Sequence, residues 1–142
     1  MLALDDERWS RLTTFFGEAK DLPEVIRRWL SSLQTEEERT IYLRDLFDLF
    51  LHQNTITNAA FAVVPWLIAV CKEKRSTNAI EYLTDVACVE ANRLESGVYY
   101  NREGTEEAPD WLMADYHQAI TESRALADDA INMELARSES EG

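Results

Sequence analysis

The chain has 142 residues but only four glycines, three prolines and two cysteines. An all-β protein needs a turn about every ten residues, so this shortage of turn-forming residues favours helices. Cys71 and Cys88 do not form a CxxC motif and have apolar neighbours, which predicts two small buried side chains and no metal or redox motif. Apolar residues make up 46% of the chain, enough for the core of a single domain.

A run long enough to span a bilayer is also missing. The longest apolar run is Ala59–Cys71, and Pro65 interrupts it. The first residues, MLALDDERW, lack the basic region and the apolar run of a signal peptide. We therefore expect a cytoplasmic protein that makes no membrane contact.

Basic residues are scarce: 14 Lys and Arg stand against 27 Asp and Glu, a net charge of −13. This charge argues against free nucleic acid and anionic membranes as partners, since both need a basic face, and it favours a basic protein. The charge is uneven: residues 76–142 carry 15 acidic and 4 basic side chains, whereas residues 1–75 carry 12 and 10. Solubility alone is the alternative explanation of this acidity.

The most apolar segment, His52–Lys72, lies in the middle of the chain. A helix that is apolar on nearly all sides must be buried on nearly all sides. We therefore predict a central helix that follows a cap at Thr55 or Thr57, contains Pro65, and supports the packing of the other helices.

Cap residues and apolar residues at helical spacing predict five further helices, which gives an all-α fold of about six. We expect them to pair in order as three stacked antiparallel hairpins, a short α-solenoid, within one domain of residues 1–137 and with a polar tail at 138–142. The five helices are predicted to begin at Asp5 or Asp6 (ending at Gly17), at Asp21, at Thr35 (ending near His52), at Ser76 or Thr77, and at Asp110.

Two stretches resemble bacterial HEAT-repeat-like proteins. HQNTITNAAFAVVPWLI is similar to a segment in which a His-Gln-Gly-Thr turn leads into an alanine-rich helix with an internal proline, and FFGEAKDLPEVIRRWL resembles the first hairpin of that group. The resemblance covers about residues 9–70. Asn54 stands where the group has glycine, and Asn58 stands near a frequent proline. It implies a short α-solenoid without established catalytic residues, and some members look like immunity or interaction proteins.

The helical pattern lapses between residues 95 and 109, where the chain reads ESGVYYNREGTEEAP. Long irregular connections in compact domains are often functional, and adjacent tyrosines beside glycine are typical of binding hot spots. The alternative is that one tyrosine packs on the core. We predict a partner-binding surface formed by Tyr99, Tyr100, Arg102, Glu103, Glu106, Glu107 and Asp110.

Catalytic motifs are absent: the sequence has no phosphate loop, no Gly-x-Ser-x-Gly and no Glu-x-x-His pair. Asp48 and His52, four residues apart on a predicted helix, are placed to form an acid–base pair, although His52 at a helix end is also typical of a structural role. We expect no catalytic site, metal or cofactor. The sequence favours a non-catalytic module, most concretely an immunity-type protein that neutralises a basic toxin domain; an enzyme using Asp48 and His52 and an adaptor subunit are the alternatives.

Overall fold

The central helix is present in the computed structural model, which describes residues 1–31, 36–52, 55–74, 79–96 and 108–141. This helix, α3, spans Ala59–Lys74 and contains Pro65, as predicted. Every residue from Ala59 to Val64 is buried, because α3 packs against both α4 (Ala79–Ser96) and α5 (Asp110–Glu141). The fold of the described residues is mostly helical, and the expected all-α class is confirmed in these terms.

Two shorter helices precede the central one. α1 (Leu22–Ser31) begins after Asp21 with Pro23 in its first turn, where a missing amide hydrogen costs nothing. α2 (Glu36–Asp48) begins at the predicted place and packs against α1. The buried side chains of α1 recur at helical spacing and face the core: Leu22, Ile26 and Trp29.

The predicted first helix is wrong. Asp6 caps a short 3-10 helix, Glu7–Arg11, and the chain then forms an antiparallel strand pair, β1 (Thr13–Thr14) with β2 (Gly17–Glu18). The β-branched Thr13 and Thr14 favour extended backbone, and Gly17 adopts a φ of 118°, a conformation that other residues rarely accept. The glycine therefore serves a hairpin and not the end of a helix.

The third predicted helix also ends early. α2 stops at Asp48, and Leu51–His52 (β3) pair with Thr55–Ile56 (β4) in a second antiparallel hairpin. Bonds of the 3-10 type, from the Leu49 amide to the Leu46 carbonyl and from the Phe50 amide to the Phe47 carbonyl, tighten the last turn and end the helix before the strand. They bring Phe50 into the core with none of its surface exposed.

The two hairpins have the same construction, 38 residues apart. Thr13 pairs with Glu18, and Leu51 pairs with Ile56, so the paired residues have the same spacing along the chain in each hairpin. A backbone hydrogen bond closes each one in the same place: Ala19 donates to Leu12 at 3.0 Å, and Thr57 donates to Phe50 at 2.9 Å. A helix follows each hairpin, α1 after the first and α3 after the second.

Hydrogen bonds connect the first hairpin to residues on either side of the second hairpin. The Phe15 amide donates to the Leu49 carbonyl at 2.9 Å, and the Thr13 amide donates to the Asn58 Oδ1 at 2.7 Å. Asn58 is buried, so its side chain satisfies a backbone donor that water does not reach. These two bonds fix the stacking of one hairpin unit on the next.

The helix pairing differs from the prediction because the first predicted helix does not form. α1 packs with α2, whereas α4 packs with α5 as expected. Trp29 of α1 also contacts Tyr82 of α4 edge to face, with ring centroids 6.0 Å apart. The last helix continues to Glu141, past Ser138 where the polar tail was expected to begin.

Candidate protein-binding surface

Most of the predicted partner-binding residues lie outside the part of the chain that the structure describes. Tyr99, Tyr100, Arg102, Glu103, Glu106 and Glu107 all belong to residues 97–107. The structure does describe the helices on either side, α4 up to Ser96 and α5 from Asp110 onward. The end of α4 and the start of α5 therefore fix the two ends of this connection.

Asp110 is the first residue of α5 and is exposed. The preceding residue, Pro109, takes the capping position, because its carbonyl accepts the amides of Leu112 at 3.0 Å and Met113 at 3.1 Å. The Asp110 carboxylate still favours the start of the helix, since the helix dipole places partial positive charge there. The prediction that Asp110 caps the helix is therefore off by one residue.

A partly buried charged cluster joins α4 to α5 close to this connection. Arg93 binds Glu90 with two hydrogen bonds of 2.7 and 2.8 Å, and the Tyr116 hydroxyl donates to the same carboxylate at 2.5 Å. Tyr116 is fully buried, and its ring contacts Phe61 of α3 edge to face at 4.7 Å. The cluster therefore ties α4 and α5 to each other and to the central helix.

The cluster shifts the acidities of its members in opposite directions. Hydrogen bonds from Arg93, and then from Tyr116, hold the pKa of Glu90 below its usual range, although burial acts the other way. Burial, and then the bond to the Glu90 carboxylate, raise the pKa of Tyr116 well above its usual range. Glu90 is therefore ionised and Tyr116 protonated at neutral pH, as the hydrogen bonds require.

The N-terminal segment lies against the first turns of α5. The Arg8 guanidinium lies 4.7 Å from the centre of the Trp111 ring, and the Met1 amino group lies 2.7 Å from the Asp115 carboxylate. Asp6 binds Arg8 with its carboxylate, and these bonds lower the pKa of Asp6 to about 2. Arg8 and the Met1 amino group, two described cations at this end of α5, are thus already engaged within the chain.

The helices α4 and α5 carry a strong excess of negative charge. They contain twelve carboxylates and three arginines, Arg93, Arg124 and Arg137. Arg93 is bound to Glu90, and Arg137 is bound to Glu134 and Glu141. With twelve carboxylates against three arginines, the two helices present a net negative surface that attracts cationic groups.

Phe16 is an exposed aromatic residue within the segment that was predicted to form the first helix. It lies in the loop of the first hairpin with 77% of its surface exposed. The loop is held rigidly, because the Phe16 amide donates to the Thr14 hydroxyl at 3.1 Å and that hydroxyl donates to the Gly17 carbonyl at 3.3 Å. Two residues separate Thr14 from Gly17, as they separate the ends of a tight hairpin, and this spacing is the sequence signal for an exposed loop at Phe16.

A groove of about 620 Å³ is formed by residues from the first part of the chain, beside the first 3-10 helix and the start of α1. Carboxylates outnumber cations along it, and the cation Arg27 lies 3.6 Å from Glu24. Most residues that line this groove are charged, and most of the charges are negative, so it offers a second place for cationic side chains to bind. Its carboxylates are Asp5, Asp6, Glu7, Asp21 and Glu24.

The expected placement of Asp48 and His52 on one helical face is wrong, because α2 ends at Asp48 and His52 belongs to strand β3.

The prediction that both cysteines are buried is half right, because Cys71 is buried and Cys88 is exposed. Burial raises the pKa of the Cys71 thiol to about 11, so this thiol is not a reactive nucleophile at neutral pH.

Asp85 on α4 is a half-buried carboxylate whose charge is poorly compensated. Burial, and then the nearby charge of Glu81, raise the pKa of Asp85 to about 6. A raised folded-state pKa means that stability falls as the pH rises through the range between the unfolded and folded values, about 4 to 6, and that the penalty is fully present above it.

We therefore expect Asp85→Asn to increase the free energy of unfolding by about 1–3 kcal/mol at pH 7.5, because it removes the buried charge. The gain should be smaller at pH 5, where the folded protein already holds a proton on Asp85. Urea denaturation at both pH values measures this, with Asp45→Asn on the exposed face of α2 as the control. An equal gain in the two variants, or none in Asp85→Asn, contradicts the prediction.

Within the described ranges, no three side chains among His, Cys, Asp and Glu are grouped closely enough to hold a metal ion. No helix in those ranges has the length and apolar character needed to cross a membrane. In comparisons with known proteins, no family model, no curated protein and no solved structure matches this chain.

Proposed function

We propose that this chain is a non-catalytic protein-binding module, most concretely an immunity-type protein that binds a basic toxin domain and blocks its active site. The observation that supports this proposal is the excess of acidic residues in α4 and α5, twelve carboxylates against three arginines. Such a surface speeds the encounter with a basic protein and repels nucleic acid and anionic lipid. A cytoplasmic location in a bacterial cell is part of the proposal.

The fold that we propose for this function is a short α-solenoid of the HEAT-like type. The 38-residue separation of two matching hairpin units, each followed by a helix, supports it. Repeating units present their connections along a common edge, which suits the recognition of another protein. In the sequence resemblance, the same two segments, residues 15–30 and 52–68, carried the likeness to helical-repeat proteins.

The proposed contact surface combines an aromatic anchor with surrounding carboxylates. Tyr99 and Tyr100 would bury against the partner, and Glu103, Glu106, Glu107 and Asp110 would meet its cations. Arg102 would pair with an acidic group of either protein. The Glu90–Arg93–Tyr116 cluster would hold both flanking helices in place, so that little conformational entropy is lost on binding.

Growth rescue in a bacterial host tests the function itself. If the neighbouring gene encodes a basic toxin domain, the host expressing that domain should grow only when this chain is co-expressed, and the two proteins should copurify at low salt. A toxin that remains lethal beside the correctly folded chain would overturn the immunity proposal. Recovery of a stable multisubunit assembly that contains no toxin would favour the adaptor alternative.

For the contact surface, we expect Tyr99→Ala or Tyr100→Ala to weaken binding to the toxin domain by about 2 kcal/mol or more, because each removes a buried aromatic anchor. Reversal of Glu106 and Glu107 to Lys should chiefly slow association, and this effect should shrink at high salt, where surface charges are screened. Surface plasmon resonance over a salt series separates the two rates. Binding that is indifferent to salt and to both tyrosines would move the contact to the first two hairpin units, which carry Phe16 and the acidic groove.

A further inference from the structure

The C-terminal part of α5 extends beyond the rest of the domain. Lys72, near the end of α3, lies 3.2 Å from Glu122, so the two helices run side by side to this level. α5 then continues from Glu122 to Glu141, which at 1.5 Å per residue is about 28 Å of additional helix. Its last partly buried core neighbour is Ala130, and every residue from 131 to 141 is exposed.

This extension keeps large apolar side chains although it has left the core. Ile131, Met133 and Leu135 have 55%, 61% and 58% of their surface exposed. Ile131 and Leu135 are four residues apart and therefore lie on the same side of the helix. Helix formation does not require apolar residues at these positions, since polar helix formers would serve as well in water.

Carboxylates bracket this apolar pair. Asp128 lies three residues before Ile131, and Glu139 lies four residues after Leu135, so all four side chains occupy one face, here called the α5 ridge. Asp128 and Glu139 are exposed, and within the described part of the chain neither carboxylate forms an ion pair or a hydrogen bond. The one cation beyond Arg124, Arg137, is bound to Glu134 and Glu141.

We propose that the α5 ridge is a docking surface for a basic amphipathic helix of another protein. Two apolar residues of that helix would cover Ile131 and Leu135, and Lys or Arg residues on either side would pair with Asp128 and Glu139. A second copy of this chain fits poorly, because it would bring two sets of free carboxylates together on chains that each carry a charge of −13. An anionic membrane is repelled for the same reason.

The ridge is separate from the surface proposed for the toxin domain. From Asp110 to Leu135 the helix rises about 37 Å, so one small partner domain does not have to touch both ends. The ridge therefore does not rest on the proposed function. Substitution of the apolar ridge residues Ile131 and Leu135 should leave growth rescue unchanged, and Tyr99→Ala should leave binding at the ridge unchanged.

A pair of synthetic helical peptides tests the ridge. The basic peptide carries two leucines four residues apart, with a lysine three residues before the first and another four residues after the second; in the acidic peptide both lysines become glutamates. Fluorescence anisotropy should show binding of the basic peptide at least about tenfold tighter than that of the acidic one, with the difference shrinking as salt rises. Equal binding of the two peptides, or no binding of the basic one, overturns the proposal.

Substitutions then show whether binding occurs at the ridge. Ile131→Gln with Leu135→Gln should weaken the basic peptide at least about tenfold, and Asp128→Asn with Glu139→Gln should weaken it less and reduce its salt dependence. Ile41→Gln, on an α2 residue that is 59% exposed, is the matched control and should change nothing. Circular dichroism confirms that the helix is kept. An equal loss in the control, or sedimentation showing dimers that Leu135→Gln dissociates, overturns the basic-partner assignment.

Discussion

Replacement of Leu67 with Ala is expected to lower the free energy of unfolding by about 2–5 kcal/mol. None of the Leu67 surface is exposed, and it lies in the second half of α3, the helix that packs on both α4 and α5. The substitution removes buried methyl groups and leaves a cavity that three close-packed helices cannot easily close. Urea denaturation followed by circular dichroism measures the loss.

The neighbouring Trp66 provides a contrast on the same turn. It is only half-buried, and its indole nitrogen donates to the Leu2 carbonyl at 3.1 Å. Trp66→Phe should therefore cost about 1 kcal/mol, the contribution of a single hydrogen bond, and Ile41→Ala on the exposed face of α2 should cost less. If Leu67→Ala costs under about 1 kcal/mol, α3 is not the centre of the core.

The elements that the sequence predicted well are those with strong local signals. An acidic residue two positions before Pro23 marked the start of α1, and the long apolar segment from Ala59 marked α3. In both cases the same residues that form the helix also bury it, so local preference and tertiary packing agree. The positions of α4 and α5 followed from apolar residues at helical spacing.

The two hairpins could not be found in this way, because bonds between distant residues decide them. Trp9 and Leu12 match a helical spacing, but a single 3-10 turn followed by a strand buries both residues equally well. The bond from Thr13 to Asn58 spans 45 residues, and no pattern near Thr13 announces it. Tertiary context overrides helical periodicity over such a short segment.

The candidate surface was predictable in part. Charge counts alone located the acidic half of the chain, and the turn-rich stretch located the connection between α4 and α5. The spacing of Glu90 and Arg93 indicates an ion pair on one helix face. The third member, Tyr116, could not be assigned, because its contact with Glu90 depends on the register between two helices.

The second large effect is expected at this cluster. Glu90→Ala should lower the free energy of unfolding by about 2–4 kcal/mol, because it leaves the buried Tyr116 hydroxyl without its acceptor and Arg93 without its partner. The two charged side chains are 16% and 27% exposed, so water reduces the penalty below that of a fully buried pair. Tyr116→Phe, which removes the donor and keeps the ion pair, should cost less.

A double-mutant cycle separates the hydrogen bond from the packing of the ring. The loss in the double variant should be smaller than the sum of the two single losses, because the bond between Tyr116 and Glu90 can be lost only once. Additive losses would show that the hydroxyl and the carboxylate do not interact in solution.

Acid should lower the free energy of unfolding as the substitution of Glu90 does, because it protonates the Glu90 carboxylate. The pKa of Glu90 is lower in the folded chain than in the unfolded one, so its contribution is fully present above the unfolded value of about 4.5 and is lost as the pH falls through the folded value. Wild-type protein should therefore lose more stability than Glu90→Gln between pH 5 and pH 3.

Asp85 acts in the opposite direction on the same helix, because its pKa is raised and protonation removes its buried charge as the pH falls. Denaturation of Glu90→Gln in an Asp85→Asn background isolates the Glu90 contribution, and parallel pH profiles of this variant and its Asp85→Asn parent would show that the Glu90 carboxylate does not stabilise the interface between α4 and α5.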